Sequence, residues 1–125
     1  MSHVVDTCGW LEFFAKTKNA KNFEKQILDT ENLIVPTIVL YEVFKKVSLE
    51  FDEDKALIAV AHMKVGKVID ISESISIYAA KLSLEKKLPM ADALIYATAL
   101  IHDSVVYTQD NHFEKLSGVK YFKKS

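Results

Sequence analysis

Four carboxylates in this chain, Asp6, Glu42, Asp92 and Asp110, are candidates for shared chemistry. Carboxylates crowded onto one surface repel each other unless a cation neutralises them. An all-oxygen donor set favours a hard divalent ion, Mg2+ or Mn2+. Such an ion polarises a phosphodiester and lowers the pKa of a bound water, and a pair of ions can serve the attacking and leaving oxygens separately. No histidine is needed in that scheme. Each residue alone also has an ordinary explanation. Asp92, just after Pro89, sits in the first turn of a helix that is apolar on every side from Met90 to Ile101. A carboxylate there can satisfy free backbone N–H groups and the positive end of the helix dipole. Asp6 can cap the helix that follows it or form an Asx turn. Glu42 can pair with Lys46 at i,i+4, and Asp110 can simply start a turn. Only the elements that carry these residues can decide between the readings.

Val4-Val5 reads as a short buried strand ending at Asp6, and Trp10, Leu11, Phe13 and Phe14 open a helix reaching about Lys18. The three aromatics are assigned to the core, with a dimer contact as the alternative. Phe23, Ile27 and Leu28 mark a second helix. Leu33-Ile34-Val35 is a strand closed by Pro36, and Thr37 is expected to cap a helix from Ile38 to about Phe51. Asp52-Glu53-Asp54 begins another helix, Lys55 to Lys64. Val68 to Ile71 is a third strand, followed by a helix from Ile75 to Lys87 capped by Ser72 or Ser74. Ser104 to Thr108 is a fourth strand. Asn111 and Glu114 have the spacing of a capping box, and Val119 to Phe122 is a fifth, edge strand.

Strands alternating with helices predict an α/β fold: a mostly parallel central sheet of about five strands with helices on both faces. The length fits one domain, residues 1–125. Ligands of such sheets gather beyond the carboxyl ends of the strands. Asp6 and Asp110 follow strands there. A helix preceding a parallel strand runs antiparallel to it, which brings the start of the Asp92 helix to the same side. Glu42, early in the helix after the second strand, lies there too.

Composition narrows the alternatives. The net charge is −1 and all sixteen basic residues are lysine, so any phosphate contacts would be point charges without arginine's bidentate fork. No apolar run approaches the length of a membrane span. No export signal is visible and Cys8 is the single cysteine, which together point to a reducing cytoplasm. No P-loop, G-x-G-x-x-G, H-E-x-x-H or zinc-type cysteine pair is present. Cys8 reads as an inert buried thiol. His112 can line the carboxylate rim, although a surface role is the simpler reading. A phospho-accepting receiver domain is disfavoured, because the first strand ends in Asp6-Thr7 rather than an acidic pair.

Val4-Val5-Asp6-Thr7, Thr37 to Val43 around Glu42, Ala91-Asp92-Ala93-Leu94-Ile95-Tyr96-Ala97 and Tyr107-Thr108-Gln109-Asp110-Asn111-His112-Phe113 together resemble a PIN domain. The ending Phe113-Glu114-Lys115-Leu116 with Gly118-Val119 is similar to that of the VapC-type toxins. The resemblance implies a Mg2+- or Mn2+-dependent endoribonuclease, acting on RNA, usually a homodimer and silenced by an antitoxin protein in its groove. It implies that Asp6, Glu42, Asp92 and Asp110 form the acidic metal site, with Thr108 supporting it through its hydroxyl. Cys8 stands where the family often has a small polar residue such as serine. The alternative is a non-catalytic RNA- or protein-binding module on the same scaffold, its carboxylates holding a structural ion.

Overall fold

Short β-branched runs too brief to stand alone must share their hydrogen bonds with neighbours, and here they do so in one five-stranded parallel sheet. The computed structural model describes residues 1–125. Its strands are β1 (His3–Val5), β2 (Leu33–Pro36), β3 (Lys67–Ile69), β4 (Val105–Thr108) and β5 (Val119–Tyr121). They lie in the order β3-β2-β1-β4-β5, and every pairing is parallel. Six α-helices join them: α1 (Thr7–Ala15), α2 (Glu24–Leu28), α3 (Thr37–Glu50), α4 (Glu53–Met63), α5 (Glu73–Lys86) and α6 (Met90–Ile101). The expected α/β class and strand set are therefore present.

Adjacent strand residues point to opposite faces. Val4 and Val5 are both fully buried, so both faces of the central strand are covered. The chain steps from β1 through β2 to β3 toward one edge, then returns through α5 and α6 to β4 on the other side of β1. Right-handed crossovers put that returning helix pair on the face opposite the outward connections. The direction reverses between β1 and β4, and a crevice at the carboxyl ends of those two strands is the usual result.

Helix boundaries differ from expectation where local geometry prevails. Asp6 caps α1, as its local reading allows, its Oδ1 accepting the Thr7 N–H at 2.8 Å. That helix ends early, because Lys16 adopts a left-handed conformation (φ 55°), and a 3₁₀ turn at Lys18–Asn22 follows. Thr37 does not cap α3: β2 runs straight into the helix, leaving Pro36 at the cap position and Thr37 already helical. Phe51 falls beyond the end of α3 and is exposed. Ser72 is the residue that caps α5, accepting from the Ile75 N–H. No capping box forms at Asn111; Asp110 caps the 3₁₀ turn Asn111–Phe113 instead.

The core joins both layers. Trp10 is buried and stacks on Phe14 (ring centroids 5.8 Å apart), with Phe13 edge-on to it. Trp10 packs as core, as expected, while Phe13 and Phe14 are half-buried against it. Gly9 is required by this packing, since a Cβ there would meet the Phe23 ring and the Val5 side chain at 2.6 Å each. Both neighbours are themselves fully buried and have nowhere to move. Gly9→Ala is accordingly expected to lower stability by about 1–3 kcal/mol through overpacking. Urea unfolding checks this, and a loss below about 0.5 kcal/mol would show that the Phe23 ring yields more easily than its burial implies.

Candidate active site

The crevice between β1 and β4 is built on one buried carboxylate. Asp6 follows β1 directly, its N–H continuing the ladder to the Tyr107 carbonyl at 3.0 Å. Its side chain is 3% exposed. A carboxylate removed from water needs donors, and three groups face this one. The Thr7 N–H donates to Oδ1 at 2.8 Å, the Thr108 hydroxyl to Oδ2 at 2.7 Å, and the Cys8 thiol approaches Oδ2 at 3.6 Å. Thr108, fully buried at the end of β4, also accepts the Asp110 N–H on its Oγ1 at 2.9 Å. One hydroxyl thus holds the Asp6 carboxylate and sets the direction in which the chain leaves β4.

Asp92 is the third residue of α6 and is buried. The sequence allows it to satisfy helix N–H groups, but no side chain caps α6 and the Asp92 carboxylate takes no bond from that backbone. Its partner is the His112 imidazole, whose Nδ1 lies 3.0 Å from Asp92 Oδ2. The same Nδ1 lies 2.9 Å from Asp110 Oδ1, which also accepts the His112 backbone N–H at 2.9 Å. Glu42 does not pair with Lys46, which bonds Glu50 at 3.2 Å. Instead Glu42 Oε1 accepts the Thr7 hydroxyl at 2.6 Å. The Thr7 backbone serves Asp6 while its side chain serves Glu42.

The charges feel one another. Burial, opposed by the Thr108 and Thr7 bonds and reinforced by the charges of Asp110 and Glu42, pushes the Asp6 carboxyl up to about 6. Burial, then the charges of Asp110 and Asp6, push Asp92 up to about 7 against the opposing effect of His112. No lysine lies within ion-pair distance of any of the four; His112 is the sole basic partner. A rim of converging carboxylates short of positive charge fits a hard divalent cation. Asp6, Asp92 and Asp110 could hold it, with Glu42 beside them.

Cys8 offers no alternative chemistry. Burial, with the neighbouring Asp6 charge, pushes its thiol up to about 12, far from the thiolate a nucleophile needs. Three further residues, His112, Thr7 and Gln109, shape the site and carry weaker signals in the sequence. His112 had a usable signal, since it falls two residues after Asp110 in a tight turn. The Thr7–Glu42 bond spans 35 positions and left no local trace. Gln109, between Thr108 and Asp110, also matters: its Nε2 donates to Glu12 Oε2 at 2.9 Å and ties the exit of β4 to α1.

A family model described as PIN domain matches residues 3–119. No curated protein matches the chain by sequence. Among solved structures, a toxin–antitoxin complex from Klebsiella pneumoniae contains a chain 26% identical, with 95% of this chain and 96% of that chain covered and a TM-score of 0.77. VapBC2 from Rickettsia felis, bound to a DNA fragment from its promoter, shares the fold at 18% identity (TM-score 0.75, 98% of both chains). So does VapC20 of Mycobacterium tuberculosis, a sarcin–ricin loop cleaving toxin, at 17% identity (TM-score 0.77, 93% of this chain and 95% of that chain).

The raised carboxyls fix a sign for stability without a cation. Folding raises Asp6 and Asp92 above their ordinary value of 3.8. The native state therefore binds more protons than the unfolded one between about 4 and 7, and stability falls as pH rises through that window. Melting in EDTA should drop from pH 5 to pH 7.5, and Asp92→Asn should melt higher than the parent chain at pH 7.5. Added Mn2+ should raise the parent's Tm at pH 7.5 by at least about 5 °C. A parent Tm in EDTA that rises with pH over this range would contradict the assigned burial and repulsion.

Proposed function

We propose, from the premise that this chain belongs to the PIN domain family, that it is a Mg2+- or Mn2+-dependent endoribonuclease and the toxin of a type II toxin–antitoxin pair. The observation that carries the reading is the convergence of Asp6, Glu42, Asp92 and Asp110 on one rim with no lysine to neutralise them. The 26% identity to a chain of a toxin–antitoxin complex, over nearly the full length of both, supports the toxin role. The fold shared with a toxin that cleaves the sarcin–ricin loop supports RNA as substrate.

Asp6, Asp92, Asp110 and Glu42 are assigned as the residues that hold the cation. Bound there, Mg2+ or Mn2+ supplies positive charge to a phosphodiester and acidifies water. The chain's own contribution is placement. Thr108 fixes Asp6 through its hydroxyl and Asp110 through that residue's N–H, and Thr7 turns Glu42 toward the rim. The half-buried Glu42 and Asp110 keep an open side toward solvent, where RNA can approach.

The expected partners are an antitoxin and a second copy of the chain, and the expected location is the cytoplasm. No helix is long and apolar enough to cross a membrane. An apolar cleft lined by Leu11, Phe14, Val47, Phe51 and Ile58 opens between α1, α3 and α4.

The purified chain should cleave RNA in Mg2+ or Mn2+ and lose that activity in EDTA. Asp92→Asn and Asp6→Asn should each lower the rate at least ~100-fold while circular dichroism stays unchanged, because a lost ligand affects cation affinity more than packing. Thr108→Val, which keeps the shape and removes the hydroxyl, should cost roughly tenfold. Cleavage that persists in EDTA or in Asp92→Asn would overturn the proposal. Cation binding without cleavage of single-stranded or structured RNA would leave a non-catalytic binding module.

A further inference from the structure

We propose that His112 is a nitrogen ligand of the same cation, and that it tilts the site toward Mn2+ over Mg2+. The inference rests on the cation reading above and adds a donor of a different kind to it. Nδ1 of His112 lies 3.0 Å from Asp92 Oδ2 and 2.9 Å from Asp110 Oδ1. The ligand atoms of these three residues all fall within 4.8 Å of one another. An ion with octahedral bonds of about 2.1 Å needs neighbouring donors about 3.0 Å apart, the edge of that octahedron. The imidazole nitrogen already stands at that spacing from both carboxylates.

Its position is set by the backbone. His112 belongs to the 3₁₀ turn capped by Asp110, and its own N–H is bonded to the Asp110 carboxylate. The side chain is 53% exposed. Ligation through Nδ1 would leave the ring proton on Nε2. Imidazole suits the transition ions, whereas Mg2+ prefers oxygen and retains its waters. A site of carboxylates alone would discriminate little between Mg2+ and Mn2+; one with a nitrogen donor should not be indifferent.

The other three histidines lie elsewhere. His3 bonds the Gln26 carbonyl, His62 packs on Phe13 and Phe14, and His102 sits at the far end of α6 from Asp92. Nitrogen coupling at a rim-bound ion therefore reports on His112 alone.

The test loads the full chain and His112→Gln with MnCl2 or MgCl2 alone, measuring affinity by calorimetry and nitrogen coupling by electron spin-echo modulation of bound Mn2+. The parent is expected to show 14N modulation that His112→Gln abolishes. Mn2+ affinity should fall about tenfold in the variant, and Mg2+ affinity by less than about threefold. Unchanged or increased Mn2+ affinity in His112→Gln, or no 14N modulation in the parent, would overturn the inference: the ring would then only occupy the cation's place. RNA cleavage with Mn2+ but without nitrogen coupling sinks this inference and leaves the nuclease reading standing. Nitrogen coupling without any RNA cleavage does the reverse.

Discussion

The bond from the Thr108 hydroxyl to the Asp6 carboxylate is the contact on which the rest of this molecule's chemistry depends. Asp6 is a carboxylate placed at the end of the central strand, directly after Val4 and Val5, whose burial the core requires. Leaving it unsatisfied would cost several kcal/mol. The hydroxyl at the end of β4 meets that need, and the same oxygen takes the Asp110 N–H. Two strands whose paired residues lie 102 positions apart are thereby held at one end, with Asp6 buried and Asp110 half-buried beyond them. The parallel pairing of β1 with β4 sets the distance, and the threonine sets the angle.

Once Asp6 is placed, the other carboxylates are drawn into a cluster whose electrostatics work against the fold. Seven of the twelve residues of helix α6 are buried, Asp92 among them, and its third residue stands inside the rim. Thr7 is committed by the cap of α1, which leaves its side chain for Glu42. The raised carboxyls of Asp6 and Asp92 reflect burial first and the neighbouring carboxylate charges second. Sites of this kind exchange stability for function, a common pattern where chemistry needs charges that packing would avoid. His112 relieves part of the repulsion from the surface side, between Asp92 and Asp110.

Much of this was legible from residue types. Alternating β-branched runs and amphipathic stretches specify the parallel sheet, and the rule that ligands gather at strand carboxyl ends places Asp6, Asp92 and Asp110 together. What escaped was tertiary. Periodicity pairs Glu42 with Lys46, and only the packing of α1 against α3 hands it to Thr7. A single-residue rule makes Thr37 a cap, yet the continuous passage from β2 into α3 makes it the first helical residue. Asp92 looked like an ordinary N-terminal helix carboxylate, and the structure instead turns its oxygen to a histidine twenty positions away. Local signals describe elements well; they say little about which side chains meet when elements pack.

The central claim is that this rim is a cation site assembled before the cation arrives. Anomalous diffraction from crystals soaked in MnCl2 tests it most directly. The account predicts a manganese peak among Asp6, Asp92 and Asp110, with the Thr108 hydroxyl still bonded to Asp6 and the sheet unmoved. Carboxylates that remain metal-free at millimolar Mn2+, or a peak found only elsewhere on the molecule, would contradict it.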